Sequence, residues 1–156
     1  MRNKQKGFSL IELLIVVAII LIIAAIAIPN LLRSKMAANE ASAVGSLRTI
    51  NTASVEYSTT YGGYPAALTN LSPASPATST SADLIDSVLA TGTKSGYTFA
   101  YAAGASDANG NVLAYTITAN PNTRGTTGQR GFFTNQTGVI RADATTAATA
   151  TSTPIS

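Results

Sequence analysis

"KGFSLIELLIVVAIILIIAAIAIPN" occupies residues 6–30, and the fold turns on how it is read. From Phe8 to Ile28 there are 21 residues, of which only Ser9 and Glu12 are polar. As a helix this run spans about 31 Å, one hydrocarbon thickness. A carboxylate in hydrocarbon costs about 2.5 kcal/mol or more even on lenient scales, so Glu12 asks for a reason. Before the run stands a short basic segment, Met1 to Gly7, with Arg2, Lys4 and Lys6. Arg33 and Lys35 follow it, but the denser cluster is N-terminal and places that side in the cytoplasm.

Pro29 removes one backbone donor and is predicted to kink the helix rather than end it. Beyond it, Leu32, Met36, Ala43, Leu47, Ile50, Ser54, Tyr57 and Tyr61 recur mostly at three- and four-residue steps, one apolar stripe on a helix. Arg33, Lys35, Glu40, Arg48 and Glu56 fall mostly off that stripe. "GGYP" at 62–65 stops it with two glycines and a proline. The prediction is one helix of about 54 residues, roughly 80 Å long. Residues 8–28 form a transmembrane or core half, apolar all round, and residues 29–61 an amphipathic half.

Residues 62–81, rich in Pro, Ser, Thr and Ala, read as a loop. "ADLIDSVLATG" at 82–92 reads as a short helix with Ser81 as cap and Gly92 as stop; Asp83 and Asp86 then lie in its first turn, where they favour the macrodipole. The period then changes to two. "GYTFAYAAG", "NVLAYTITAN" and the hairpin "RGFFTNQTGVIRA" predict three or four short antiparallel strands within residues 96–142. The sheet needs a cover, and the amphipathic half of the long helix supplies it. The expected class is α+β, with a globular region over 62–142. Residues 143–156 are low-complexity Ala, Thr and Ser, with too few large apolar side chains to pack, and a mobile tail is expected.

Composition excludes more than it identifies. The chain is 46% apolar and 11% charged, so Ser, Thr, Asn and Gly must solvate its surface. From Phe8 onward seven Lys/Arg balance seven Asp/Glu, so the net charge of +3 belongs to the first seven residues. No basic stripe remains to track nucleic-acid phosphates. There is no Cys, hence no disulfide, and no His. With no nucleophile–base pair and no phosphate loop, the chain is not read as an enzyme, and no cofactor or metal site is expected. "DANGN" at 107–111 offers a single carboxylate and is a turn rather than a calcium loop. The six tyrosines are read as core. The glycosylation patterns "NLS" at 70 and "NQT" at 135 are read as chance in a bacterial-type chain.

At this point "KGFSLIELLIVVAII" resembles the leader and helix of type IV pilins and of the related type II secretion pseudopilins. The pattern is a short basic leader, Gly7, Phe8, a Glu four residues on, and an unbroken apolar run, with Pro29 where that family often has a kinking proline. The match covers about the first 35 residues; "TRGTTGQRGFFTNQTGVIRAD" is similar to the family's C-terminal sheet at lower specificity. The resemblance implies a leader peptide at 1–7 and cleavage between Gly7 and Phe8 by a prepilin peptidase. It also implies N-methylation of Phe8, and a role for Glu12 in assembly. The cysteine pair near the C-terminus of many pilins is missing, which leaves open what secures the end of the sheet.

The residues give Glu12 a physical reason. Cleavage would leave an α-amine on Phe8, protonated at neutral pH, four residues from Glu12. In a bundle of such helices the carboxylate would be buried and would need that cation, its own or a neighbour's. A Glu tolerated when paired and costly when unpaired sets axial register, as a polar residue does in a coiled-coil seam. The expected protein is a structural subunit. It begins as a single-pass precursor in the bacterial inner membrane and polymerises with itself into an extracellular pilus-like filament, using pilus or secretion assembly machinery. The rival readings are a pseudopilin of a periplasmic type II secretion filament, and a minor pilin or membrane-anchored binding module. A secretory signal peptide cut after "AIA" at 25–27 is disfavoured by Glu12 inside the run and Pro29 just past the cut.

Overall fold

The computed structural model describes residues 7–155. The basic leader before Gly7, with its predicted orientation, lies outside the described residues. The chain divides into two compact units, Met1–Lys35 and Met36–Ser156. One helix, α1 (Leu10–Tyr61), runs through the boundary and continues through Pro29.

The first unit is described by itself, as the apolar start of the helix. Among the described residues its large apolar side chains are exposed, Ala24 is intermediate, and none of its most apolar window is buried. By length and composition it can cross a membrane.

In the second unit α1 covers a sheet. Ala43, Leu47, Ile50, Ala53 and Tyr57 form its buried stripe, at steps of three and four. They pack with Tyr97, Phe99, Tyr115, Ile117 and Phe132 from the sheet, which makes the fold α+β as expected. The sheet is an antiparallel meander of six strands: β1 (Thr93–Lys94), β2 (Tyr97–Ala103), β3 (Tyr115–Pro121), β4 (Gly131–Asn135), β5 (Arg141–Asp143) and β6 (Thr153–Pro154). Three or four strands were expected; β1 and β6 are two residues each, too short for any period to announce them. β2 and β3 show the period of two, with alternate residues facing the core.

Four further expectations are corrected. Glu40, placed off the stripe, is buried, 8% exposed. Its Oε1 accepts from the backbone N–H groups of Gln129 and Arg130 at 2.9 and 3.0 Å, and its Oε2 from Arg130 Nε at 2.8 Å. The short helix is only α2 (Ser87–Ala90), capped by Asp86, whose Oδ1 accepts from Leu89 N–H at 2.9 Å; Ser81 and Asp83 lie outside it. The loop at 62–81 contains a 3-10 turn, Leu68–Leu71, whose two leucines are buried.

The fourth correction concerns the C-terminal segment, which is packed rather than mobile. Ala148 is 2% exposed, β6 pairs with β5, and Ile155 N–H donates to the Ile140 carbonyl at 2.9 Å. Arg124 donates to the carbonyls of Ala144 and Thr146 at 3.0 and 2.9 Å, and Arg141 to that of Ser152 at 2.9 Å. Asp143 accepts from the N–H groups of Thr145 and Thr146, both at 2.8 Å. Those donors hold its carboxyl down at about 2. Charge-assisted bonds to backbone thus secure the end of the sheet without a disulfide.

The tyrosines pack as core. Tyr101 stacks on Tyr115 at 5.4 Å between ring centres, and Tyr64 meets Tyr115 edge-on at 4.8 Å. The hydroxyls of Tyr57, Tyr97, Tyr101 and Tyr115 each donate to a partner, that of Tyr97 to the Arg130 carbonyl at 2.8 Å. Gly128 lies against that hydroxyl so closely that a Cβ would overlap the ring. Gly128→Ala must therefore displace the fully buried Tyr97 or its own turn. It is expected to cost about 2 kcal/mol, seen as a lowered thermal-unfolding midpoint of the full chain in detergent. An unchanged midpoint would mean that the turn yields freely.

Candidate functional site

The segment from Gly7 to Leu13 carries the residues singled out in the sequence, and it is built by the start of α1. Gly7, Phe8 and Ser9 precede the first helical turn and are not helical. The Gly7–Phe8 peptide bond therefore lies in exposed, non-helical chain, with Phe8 85% exposed. Nothing lies within 4 Å of where a Cβ on Gly7 would sit. Among the described residues, then, no crowding demands glycine at this position.

Glu12 stands in the first turn of α1. Its carboxylate is not idle: Oε2 accepts from the backbone N–H of its own Ser9 at 3.0 Å. In return the Ser9 hydroxyl accepts, at 3.4 Å, from the N–H of Ile11, and the Ser9 carbonyl accepts from Leu13 N–H at 3.2 Å. The carboxylate half is that of a capping box, Glu12 reaching back to the donor at the helix start, while the Ser9 hydroxyl caps Ile11 N–H one residue earlier. It also sets a negative charge at the positive end of the helix dipole. The sequence reading missed the role of Ser9. The signal was "SLIE" at 9–12, a Ser-x-x-Glu directly ahead of an apolar run.

The cap leaves capacity unused. A carboxylate has about four acceptor sites, and the Ser9 N–H takes one of them. Among the described residues no donor reaches Oε1 of Glu12, which leaves it able to accept from a cation brought to it. The site can thus hold its own helix start together and take a second donor.

The other candidate positions are structural. Both oxygens of Asp107 are taken within "DANGN", Oδ1 by the N–H groups of Asn109 and Asn111 at 2.8 and 2.9 Å and Oδ2 by Asn111 Nδ2 at 3.0 Å. The turn closes through Gly110 in the left-handed region, at φ 86°. Among the described residues no group of three or more His, Cys, Asp or Glu is placed to hold a metal ion.

Comparison with known proteins bears on the N-terminal segment. Residues 2–28 match the family model described as the prokaryotic N-terminal methylation motif. The type IV wide pilus major component PilA4 of Thermus thermophilus is 65% identical over 40 residues, which cover 26% of this chain and 30% of that protein. No solved structure matches the chain.

Proposed function

We propose that this protein is a prepilin: a structural subunit that is cut between Gly7 and Phe8, methylated on Phe8, and polymerised through its N-terminal helix into an extracellular type IV pilus-like filament. The observation that carries the proposal is the pairing of an uncovered apolar helix with Glu12 at its start, inside a matched methylation motif. The likeness to a pilus component of Thermus thermophilus supports the same reading. The precursor is held in the inner membrane by residues 8–28, and the same residues become the filament core once withdrawn from lipid. Ala18, Ala24, Ala25 and Ala27 allow close helix approach there. Pro29 gives the helix a place to bend between the apolar and amphipathic halves.

Cleavage follows from exposure. A bond outside the helix needs no unwinding to enter a protease, and Gly7 and Phe8 are exposed and non-helical. The new α-amine then becomes a donor for Glu12 of an adjacent subunit. The partners are copies of the same chain, the prepilin peptidase, the inner membrane and pilus assembly machinery. The pseudopilin of a type II secretion system is the second reading, since it uses the same N-terminal chemistry.

The test is the intact mass of this protein in the sheared filament fraction of producing cells. A mass beginning at methylated Phe8, in quantity, is expected. Abundant mature protein confined to the cell envelope would favour the pseudopilin. A chain beginning at Ile28 would overturn both.

A further inference from the structure

Eight of the eleven charged side chains in the unit Met36–Ser156 have a partner inside it. Glu40 pairs with Arg130 and Asp86 with Lys94. Arg124 and Arg141 donate to backbone carbonyls, while Asp107 and Asp143 accept from their own turns. Three side chains of this unit stand apart. Arg48, Glu56 and Asp83 are exposed and have no charged partner among the described residues. In a chain with so few charges, that separation is informative.

Two of the three lie together on α1. Arg48, Thr52 and Glu56 follow at four-residue steps and so share one side of the helix. They line a shallow groove with Thr49, Ala53 and Leu84, and Asp83 directly precedes Leu84. Val55, half-exposed, adds apolar surface on the same stretch. Arg48 and Glu56 are eight residues apart, about 12 Å along the axis, too far to neutralise each other. This helix surface therefore ends in a cation on one side and an anion on the other, with small and apolar side chains between.

We infer that this surface is the contact with a second copy of the same chain, displaced along the helix axis so that Arg48 of one copy meets Glu56 of the next. The inference rests on the filament reading, in which the helices run parallel. Without displacement, parallel copies would set Arg48 against Arg48, and like charges in register oppose association. A displacement of eight residues, about 12 Å, brings cation to anion and repeats without closing, as an open polymer requires. The order of charges agrees with the N-terminal pair. In both pairs the cation precedes the anion, by four residues from Phe8 to Glu12 and by eight from Arg48 to Glu56, so the two contacts share a direction and, with unequal steps, are made to different neighbours in the polymer.

The test is charge reversal and exchange in the full chain. Arg48→Glu and Glu56→Arg, made singly, are each expected to lower the yield of sheared filaments about tenfold, while mature protein stays at its usual level in the membrane. The exchanged variant, Arg48→Glu with Glu56→Arg, restores the pair in every contact and should return the yield to within about threefold of the parent. Because the chain has no cysteine, Thr52→Cys with Thr60→Cys also marks the same eight-residue displacement without removing either charge. A bis-maleimide should link such filaments into a ladder of oligomers. Single reversals that assemble normally, an exchange that rescues nothing, or cross-linking that stops at dimers would each overturn this contact. A parent chain that makes no filaments would overturn the filament reading itself.

Discussion

Glu12→Ala is expected to leave the protein processed and resident in the membrane while reducing sheared filaments about a hundredfold or more. The variant loses a charge from an apolar helix, which favours the membrane by about 2.5 kcal/mol, so failed anchoring cannot explain the loss. The same carboxylate, however, caps its own helix through the Ser9 N–H at 3.0 Å. A capping defect costs only about 1 kcal/mol and would fray the first turn. Glu12→Gln separates the two roles. A Gln oxygen can still accept from Ser9, so the cap survives while the charge does not. If assembly depends on a cation from a neighbouring subunit, Glu12→Gln should fail as badly as Glu12→Ala. If the cap alone matters, Glu12→Gln should assemble as the parent does, and Ser9→Ala, which keeps the N–H that Glu12 caps and loses only the hydroxyl's 3.4 Å bond to Ile11 N–H, should weaken filaments less than Glu12→Ala does. Filament yield against membrane content, across the three variants, decides between them.

The long helix and its two characters were legible because each rests on a period or a run that no local detail disturbs. Twenty-one nearly unbroken apolar residues read as a span whatever follows, and the stripe Ala43, Leu47, Ile50 and Tyr57 reads as a buried face. Strands β2 and β3 were legible for the same reason. What escaped had no period to carry it. β1 and β6 are two residues long and exist only through their partners. The tail packs by arginine bonds to backbone carbonyls, which composition cannot reveal, since Arg124 and Arg141 are ordinary surface residues until their partners are known. Glu40 was placed off the apolar stripe, and its burial was not legible because a buried carboxylate is tolerated only with donors, which here come from far along the chain. At the helix start, the spacing of Gly7, Phe8 and Glu12 was visible. The cap was also present in the letters, but the long-range question about Glu12 concealed its local use.

Glu40 carries the second large effect. Its donors lie about ninety residues away in the chain, so the contact ties α1 to the entry of β4. Burial pushes the carboxyl pKa up; the N–H of Gln129, the guanidinium of Arg130 and the N–H of Arg130 outweigh it and hold the value below normal. Arg130 also lies 5.4 Å over the Phe132 ring, so the ion pair is seated on the core. Glu40→Ala would leave two backbone donors and one guanidinium without an acceptor, at an expected cost of about 3 kcal/mol or more. Glu40→Gln keeps an acceptor but no charge, and should cost roughly half as much. The pH dependence follows from the lowered pKa. The unfolded chain binds the proton more readily, so the contribution is fully present above the unfolded value near 4.5 and fades as pH falls through the folded one. Thermal unfolding of the full chain in detergent should show the parent losing stability relative to Glu40→Gln as pH drops below that range. Asp86 and Asp143 also have lowered pKa values and titrate in the same acid range, but both variants share them, so their effect cancels in the comparison. A difference between parent and Glu40→Gln that stays constant from neutral pH down to about 3 would mean that the charge on Glu40 does not hold the helix to the sheet.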